Sequence, residues 1–227
     1  MPSWFLNAER VLTSDFIPAH TDVLRMRRRT LGIHRNRIQI SNATFDIYDT
    51  GGERSERRKW PRCADDTHAI VMTVDISCYD RTLYEDNTVN RMQESLTVFE
   101  EVINHKRFWE TDIILLFTKL DELGPKLSRT PLATCFPEFT IPPPCLPDAR
   151  AFIENEFRAR MKPGLFRRGI RPGRNPSKPL HIMYCSFFEG PNPAFMVTQK
   201  IIDVLSGRVW ANKTDVVTPA VPLSAHD

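Results

Sequence analysis

Along the 227 residues, short β-prone runs alternate with stretches of helical periodicity. Two near-continuous apolar runs, Ala69-Ile70-Val71-Met72-Thr73-Val74-Asp75-Ile76 and Ile113-Ile114-Leu115-Leu116-Phe117, have the composition of strands buried on both faces of a parallel sheet. Leu180-His181-Ile182-Met183-Tyr184-Cys185-Ser186 predicts a last strand of the same kind. Upstream, Arg37-Ile38-Gln39-Ile40 and Ala43 to Tyr48 predict a hairpin joined by Ser41-Asn42. Leu96, Phe99, Val102 and Ile103 recur at helical spacing, a second helix is predicted around Ala149 to Met161, and a third over Phe195 to Val209 carries Ile201, Ile202 and Leu205 on one face. Ser3 to Asp15, with Trp4, Phe5, Leu6, Val11 and Leu12, has the pattern of a short amphipathic helix. Strands alternating with helices predict an α/β protein. Between these elements lie a proline-rich loop, Ile141 to Pro147, and a basic Gly/Pro/Arg-rich loop, Lys162 to Lys178; the chain closes on a polar tail, Thr214 to Asp227.

Composition narrows the class. A hydrophobic fraction of 41% and a charged fraction of 26% fit a soluble domain with a sizeable core. The net charge of +3 comes from 31 basic against 28 acidic residues, and the basic loop lacks interleaved aromatics, so no nucleic-acid partner is expected. Five cysteines show no C-x-x-C pair and no metal spacing, which predicts reduced, intracellular thiols. No apolar run approaches membrane-spanning length, no signal-peptide pattern opens the chain, and residue 2 is Pro, so membrane attachment is expected only through partners. No histidine accompanies a serine or cysteine nucleophile motif, and His34 and His68 are expected to be structural.

Candidate chemistry concentrates in Asp49-Thr50-Gly51-Gly52-Glu53-Arg54-Ser55-Glu56-Arg57-Arg58-Lys59-Trp60. It follows a predicted strand and leads into a charged segment that can start a helix. A carboxylate at a strand end can hold Mg²⁺ through water, and a backbone without Cβ lets a phosphate approach closely. The dozen residues resemble the switch II segment of heterotrimeric G-protein α subunits, D-V-G-G-Q-R-S-E-R-K-K-W, with Glu53 at the position of that family's catalytic glutamine. Arg25-Met26-Arg27-Arg28-Arg29-Thr30-Leu31-Gly32-Ile33 is similar to the family's switch I, D-V-L-R-x-R-x-x-T-x-G-I. Thr118-Lys119-Leu120-Asp121 ends a predicted strand where the family has N-K-x-D. An aspartate there can accept from guanine N1–H and N2–H₂ while the lysine stem covers the base. Ser77-Cys78-Tyr79-Asp80, Glu85-Asp86 and Asn90-Arg91-Met92 resemble the third switch and the start of the third helix, and Pro131 to Phe139 again matches the family. The loop contacting the guanine carbonyl falls at Tyr184 to Phe187, where only the cysteine is kept.

The resemblance implies a Ras-like GTPase (P-loop NTPase) sheet with helices on both faces, lacking its first strand and P-loop. Residues 1–21 would be a remnant of the helical domain and linker, 22–213 a partial Ras-like domain, and 214–227 a flexible tail. It implies GTP or GDP with Mg²⁺ as ligands, and catalysis by Arg27, an arginine finger supplied in cis, with Glu53 at the glutamine position. Nucleotide contacts would come from Leu24, Arg25, Arg27, Thr30, Asp49, Gly51, Gly52, Thr118, Lys119, Asp121 and Ser186. Thr30 and Asp49 would be the metal residues. Arg54, Arg57, Lys59 and Trp60 would form the partner surface. The implied partners are the βγ dimer, a G-protein-coupled receptor and a downstream effector. The implied location is cytoplasmic, or peripheral at the inner face of the plasma membrane within a heterotrimer. No G-x-x-x-x-G-K-[ST] occurs in these residues; Gly164 and Gly169 have the spacing, but Ile170-Arg171 follows. That lack keeps two readings open: a GTP-hydrolysing signal transducer, and a non-catalytic α-like protein that binds βγ or an effector.

Overall fold

A computed structural model of the chain describes residues 7–19, 22–23, 26, 28–40, 43–63, 67–108, 111–141, 145–161, 180–186, 193–205 and 215–216. It divides into two compact units, Met1–Cys63 and Ala64–Asp227.

In the first unit, a single helical turn, α1 (Ala8–Val11), precedes the hairpin β1 (Ile33–Ile40) and β2 (Ala43–Thr50). The antiparallel register runs from Ile33 opposite Thr50 to Ile40 opposite Ala43. The hairpin is therefore longer at its open end than the alternation of Arg37 to Tyr48 predicts. One face pairs Arg37 with Asp46 and Arg35 with Tyr48; Asp46 accepts from Arg37 Nε at 2.8 Å and from an Arg35 guanidinium nitrogen at 2.9 Å. Hydrogen bonds from Arg37 and Arg35 hold the Asp46 carboxyl well below the usual carboxylate range. A one-turn helix, α2 (Arg54–Arg57), and a 3₁₀ turn, Trp60–Cys63, complete the unit.

The second unit is built on a parallel sheet ordered β3 (Ala69–Asp75), β4 (Asp112–Thr118), β5 (Leu180–Cys185) and β6 (Asp215–Val216). β6 lies beyond the strand that the hydrophobic pattern makes last. Helices α3 (Arg91–Ile103), α4 (Leu120–Leu127), α5 (Leu146–Ala159) and α6 (Pro193–Leu205) connect or follow the strands. α3 starts at Asn90, whose side chain accepts from the backbone N–H of Met92 at 2.8 Å and of Gln93 at 3.3 Å. Its Met92, Leu96, Phe99 and Ile103, at helical spacing, are all fully buried. α5 carries Pro147 in its first turn, where no intrahelical N–H partner is needed, and buries Ala149, Ile153 and Phe157.

β4 is buried from Ile113 to Phe117, as its unbroken apolar run requires. Ile114 and Leu116 pack with Met183, Cys185, Val197 and Val204, joining one sheet face to α6. On the other face Phe117 meets Phe157 edge-on at 5.2 Å and stacks on Tyr184 at 5.2 Å, while Phe157 meets Phe99 at 5.2 Å. All five cysteines are free. Burial pushes the thiol of Cys78 up to about 12 and those of Cys135 and Cys185 up to about 11, so none of these three is a thiolate at neutral pH. No helix among the described residues is long and apolar enough to cross a membrane.

One polar group is sealed into this core. The Tyr184 hydroxyl donates to Glu154 Oε2 at 2.6 Å, Glu154 Oε1 accepts from Arg158 Nε at 2.9 Å, and the Arg150 guanidinium lies 4.6 Å above the Tyr184 ring. Burial, reinforced by Glu154, pushes the Tyr184 hydroxyl far above its ordinary pKa. Tyr184→Phe leaves the Glu154 carboxylate without its hydroxyl donor, and we expect a loss of about 1–3 kcal/mol in urea-unfolding stability. The unfolded tyrosine ionises near pH ~10 while the folded one keeps its proton, so the unfolded state binds fewer protons above that value. Stability should therefore fall as pH rises past that point, and the Phe variant should lack this part of the slope.

Candidate functional site

The candidate residues fall in both units. In the first unit, the turn after β2 is tied to the segment before β1 through backbone and carboxylate. Gly51 N–H donates to Gly32 C=O at 3.2 Å, and Gly32 N–H donates to Glu56 Oε2 at 2.6 Å. Glu56 is buried and also accepts from Lys59 Nζ at 2.6 Å; these two hydrogen bonds hold its carboxyl below the usual range. Trp60 Nε1 donates to Gly51 C=O at 3.0 Å, and Arg57 Nε to Gly52 C=O at 3.0 Å. Gly32 carries φ +79°, a left-handed conformation that glycine adopts without steric cost.

The sequence-predicted residues of this unit separate clearly. Thr30 is half-buried and its backbone carbonyl packs against Gly51: a Cβ on Gly51 would stand 2.5 Å from Thr30 O and 2.7 Å from Glu56 Cγ. Gly52 is open, with nothing within 4 Å of a built Cβ. Asp49, near the end of β2, is exposed and opposite His34 in the register. Glu53 begins α2 in an extended conformation without capping it, and its carboxylate instead pairs with Arg29. Trp60 is half-buried, so its indole braces the glycine turn as well as edging the basic run. Leu24, Arg25 and Arg27 lie outside the described residues.

In the second unit, parallel pairing brings the ends of β3, β4 and β5 to one level. Asp75 lies opposite Thr118, and Thr118 opposite Cys185. Thr118 Oγ1 donates back to Val74 C=O at 3.2 Å, closing the strand ends. Lys119 follows in the left-handed region, φ +61°, where it starts α4. Ser186 Oγ donates to Asp121 Oδ1 at 2.5 Å across 65 residues of sequence. Ser186 is buried; Thr118, Lys119 and Asp121 are half-buried. The structure thus gathers all four second-unit candidates at one end of the sheet, where open α/β folds bind ligands. Tyr184, first of the four positions the resemblance assigns to a base-contacting loop, lies in the strand that the apolar run predicts and is a core residue of β5.

Two residues that the sequence reading passed over matter here. Asp75 Oδ2 lies 2.9 Å from Lys119 Nζ, and Asp75 Oδ1 accepts from Ser77 N at 3.0 Å and Ser77 Oγ at 2.7 Å. Burial pushes the Asp75 carboxyl up, but the bonds from Ser77 and Lys119 overcome this and leave it below its ordinary value. Asp75 interrupts an apolar run just before Ile76, and a charge at that place is its only signal. Glu56 was legible only as one charge among several.

A Mg²⁺ ion takes octahedral oxygen ligands and keeps several waters. Among the described residues no three His, Cys, Asp or Glu side chains cluster to hold a metal. The Thr30 hydroxyl and Asp49 carboxylate are hard oxygen donors suited to an ion held mainly by water and phosphate, and they do not form a protein cage.

A parallel α/β sheet flanked by helices, with polar residues at the carboxyl ends of its strands and a D-x-G-G turn earlier in the chain, belongs to the Ras-like GTPase class of fold. The family model for the G-protein alpha subunit matches residues 1–193, and the chain belongs to that family. It is 42% identical over 154 residues to the guanine nucleotide-binding protein G(o) subunit alpha of Lymnaea stagnalis, covering 68% of this chain and 43% of that protein. It is 41% identical over 154 residues to the G(o) subunit alpha of Locusta migratoria, with the same coverage of both. It is 42% identical over 149 residues to the alpha-16 subunit of Caenorhabditis briggsae, covering 66% and 42%. The chain thus spans less than half the length of the relatives it matches.

The packing at Gly51 yields a direct test. A methyl group there must displace the Thr30 carbonyl or the Glu56 stem, and the Glu56 bond to Gly32 goes with it. Gly51→Ala should destabilise the turn by about 1–3 kcal/mol, the usual range for overpacking, and speed limited proteolysis between residues 28 and 60. Gly52→Ala, made in open space, should leave the cleavage rate near that of the parent.

Proposed function

We propose that this chain is the nucleotide-reading and switch portion of a GTP-dependent signal transducer. The observation that carries the proposal is the convergence of Lys119, Asp121 and Ser186 beyond the ends of β4 and β5. Asp121 has a second carboxylate oxygen to accept from a guanine edge, and the lysine stem supplies an apolar surface for the ring. Thr30 and Asp49 would hold Mg²⁺ together with nucleotide phosphates, Gly52 would approach the γ-phosphate, and Arg27 would steady charge on the transferring group. Arg54, Arg57, Lys59 and Trp60 would face a βγ dimer, with a receptor and an effector as the other partners, at the cytoplasmic face of a membrane. The paired Glu53 favours, as second reading, a binding protein that hydrolyses GTP slowly or not at all.

The base-reading half is tested on the chain itself. GDP should bind in preference to ADP, and Asp121→Ala should remove roughly a hundredfold of that preference, the equivalent of two hydrogen bonds to a charged acceptor. Equilibrium dialysis with both nucleotides decides; equal affinity for GDP and ADP in the parent chain would refute the reading.

The Glu53 half concerns hydrolysis. A glutamine can accept from the attacking water and donate toward phosphoryl oxygens, whereas a carboxylate only accepts and adds a like charge near the γ-phosphate. Two like charges ~4 Å apart repel by roughly 4 kcal/mol at an effective dielectric near 20, and Mg²⁺ and Arg27 offset part of it. In an α subunit that carries this segment downstream of a phosphate-binding loop, Glu53→Gln should accelerate single-turnover GTP hydrolysis by at least about tenfold. An unchanged rate would place the limiting defect elsewhere.

A further inference from the structure

We infer that Asp75 is the positioning residue of the base-reading lysine: its carboxylate anchors the Lys119 ammonium across the ends of β3 and β4, fixing the aliphatic stem as a platform for guanine and cancelling the charge that phosphates would otherwise meet. This rests on the base-reading proposal above and assigns that site a further residue and a ligand preference.

The geometry is built by the sheet. Asp75 is the last residue of β3 and lies in register with Thr118, the last of β4, and Ile76 N–H continues the ladder to Thr118 C=O at 3.1 Å. Lys119 is the next residue, so its side chain reaches the neighbouring strand end without leaving the sheet edge. Its Nζ stops 2.9 Å from Asp75 Oδ2. A lysine stem is long and rotamer-rich, and a platform made of it is useful only when its far end is held.

The anchor is itself immobilised. The Ser77 backbone N–H and its hydroxyl both donate to Asp75 Oδ1, at 3.0 and 2.7 Å, and Ser77 is fully buried. Lys126 Nζ donates to Ser77 C=O at 2.8 Å and to Asp80 Oδ1 at 2.5 Å, which fixes the turn beyond β3. Asp75 therefore offers Lys119 a charge whose position is set before any ligand arrives.

The other charges facing Lys119 reinforce the neutralisation. Glu122 Oε1 lies 3.8 Å from Lys119 Nζ, while Glu122 Oε2 lies 3.6 Å from Arg81. One ammonium thus faces two carboxylates, and among the described residues only Glu122 has a further cationic partner, Arg81. A lysine so surrounded contributes its methylenes to a base and little attraction to phosphate. Lys119 should therefore add little to the binding of phosphates.

The test is titration of the full 227-residue chain with guanosine, adenosine and GDP, followed by NMR. The parent should prefer guanosine to adenosine. Asp75→Ala should weaken guanosine about tenfold, the loss of one charge-assisted hydrogen bond that orders the platform. It should weaken GDP less, because the released ammonium now attracts phosphate, so the GDP-to-guanosine affinity ratio rises. Asp75→Asn keeps an acceptor without the charge; it should retain more guanosine affinity than the Ala variant while raising the same ratio. In a Lys119→Met background, Asp75→Ala should have no further effect. Unchanged guanosine affinity in Asp75→Ala, or an equal loss with Lys119→Met present, would overturn the assignment. Should circular dichroism show Asp75→Ala unfolded, Asp75→Asn decides, and an unmoved ratio there also overturns it. A parent chain without preference for guanosine over adenosine would refute the base-reading proposal and this inference with it, whereas loss of the Asp75 effect alone leaves that proposal standing.

Discussion

Parallel hydrogen bonding of β4 to β3 on one side and β5 on the other is the constraint on which the second unit depends. The three strands end at one level because the register is in step, Asp75 beside Thr118 and Thr118 beside Cys185. Residues distant in sequence then meet without long loops: Asp75 reaches Lys119, and Asp121 reaches Ser186. The register holds because β4 is covered on both faces, by α6 through Ile114 and Leu116 and by the aromatic cluster through Phe117. Slipping β4 by one residue would turn every core side chain to the opposite face and move the polar end of the strand with it. Core packing and site geometry are therefore a single specification.

The first unit is organised by a carboxylate where the second uses a strand ladder. Glu56, buried beside the turn, accepts from the Gly32 backbone and from Lys59, and so joins the segment before β1 to the helix after β2. The two glycines of the D-x-G-G turn do different things. Gly51 is required by packing, since Thr30 C=O and Glu56 occupy the place of a Cβ. Gly52 has open space on that side, which is what close approach of a ligand to the backbone needs. A sequence motif that reads as one functional unit thus divides into a structural glycine and an accessible one.

The strands and helices of the second unit were legible because their signals were local and strong. Ile113 to Phe117 is an unbroken apolar run, Met92 to Ile103 keeps helical spacing behind an Asn cap, and Lys119 with Asp121 follows a strand end directly. What was not legible depended on partners distant in the chain. Asp75 looked like a polar interruption of an apolar run until Lys119 was placed beside it. Tyr184 was legible as a strand residue from its apolar run, whereas the resemblance also put it at the start of a base-contacting loop; Glu154, Arg150 and Phe117 together give its hydroxylated ring a satisfied place in the core. The hairpin was read short because polar residues such as His34 and Asn36 hide a strand whose pairing, not its hydrophobicity, extends it to Ile33.

Charge pairing at the candidate residues follows from the same economy. A half-buried ammonium or carboxylate loses hydration, and a fixed counter-charge offsets that loss more fully than loosely held water does. Lys119 has Asp75, Glu53 has Arg29, and Lys59 has Glu56. A ligand entering such a site meets charges that are already engaged, so its net gain is a difference between new bonds and the internal ones they replace. For Lys119 the replacement is unfavourable, because the competing carboxylate is held by Ser77 at short range and by the strand register itself. For Glu53 the balance is weaker, since the Arg29 side chain is well exposed and solvent screens an exposed pair. The two pairs should therefore respond differently to ionic strength: added salt loosens Arg29 from Glu53 while leaving the Lys119 anchor largely in place. On these grounds Lys119 is held in place before any ligand arrives, while the Arg29–Glu53 pair is the one that solvent can loosen.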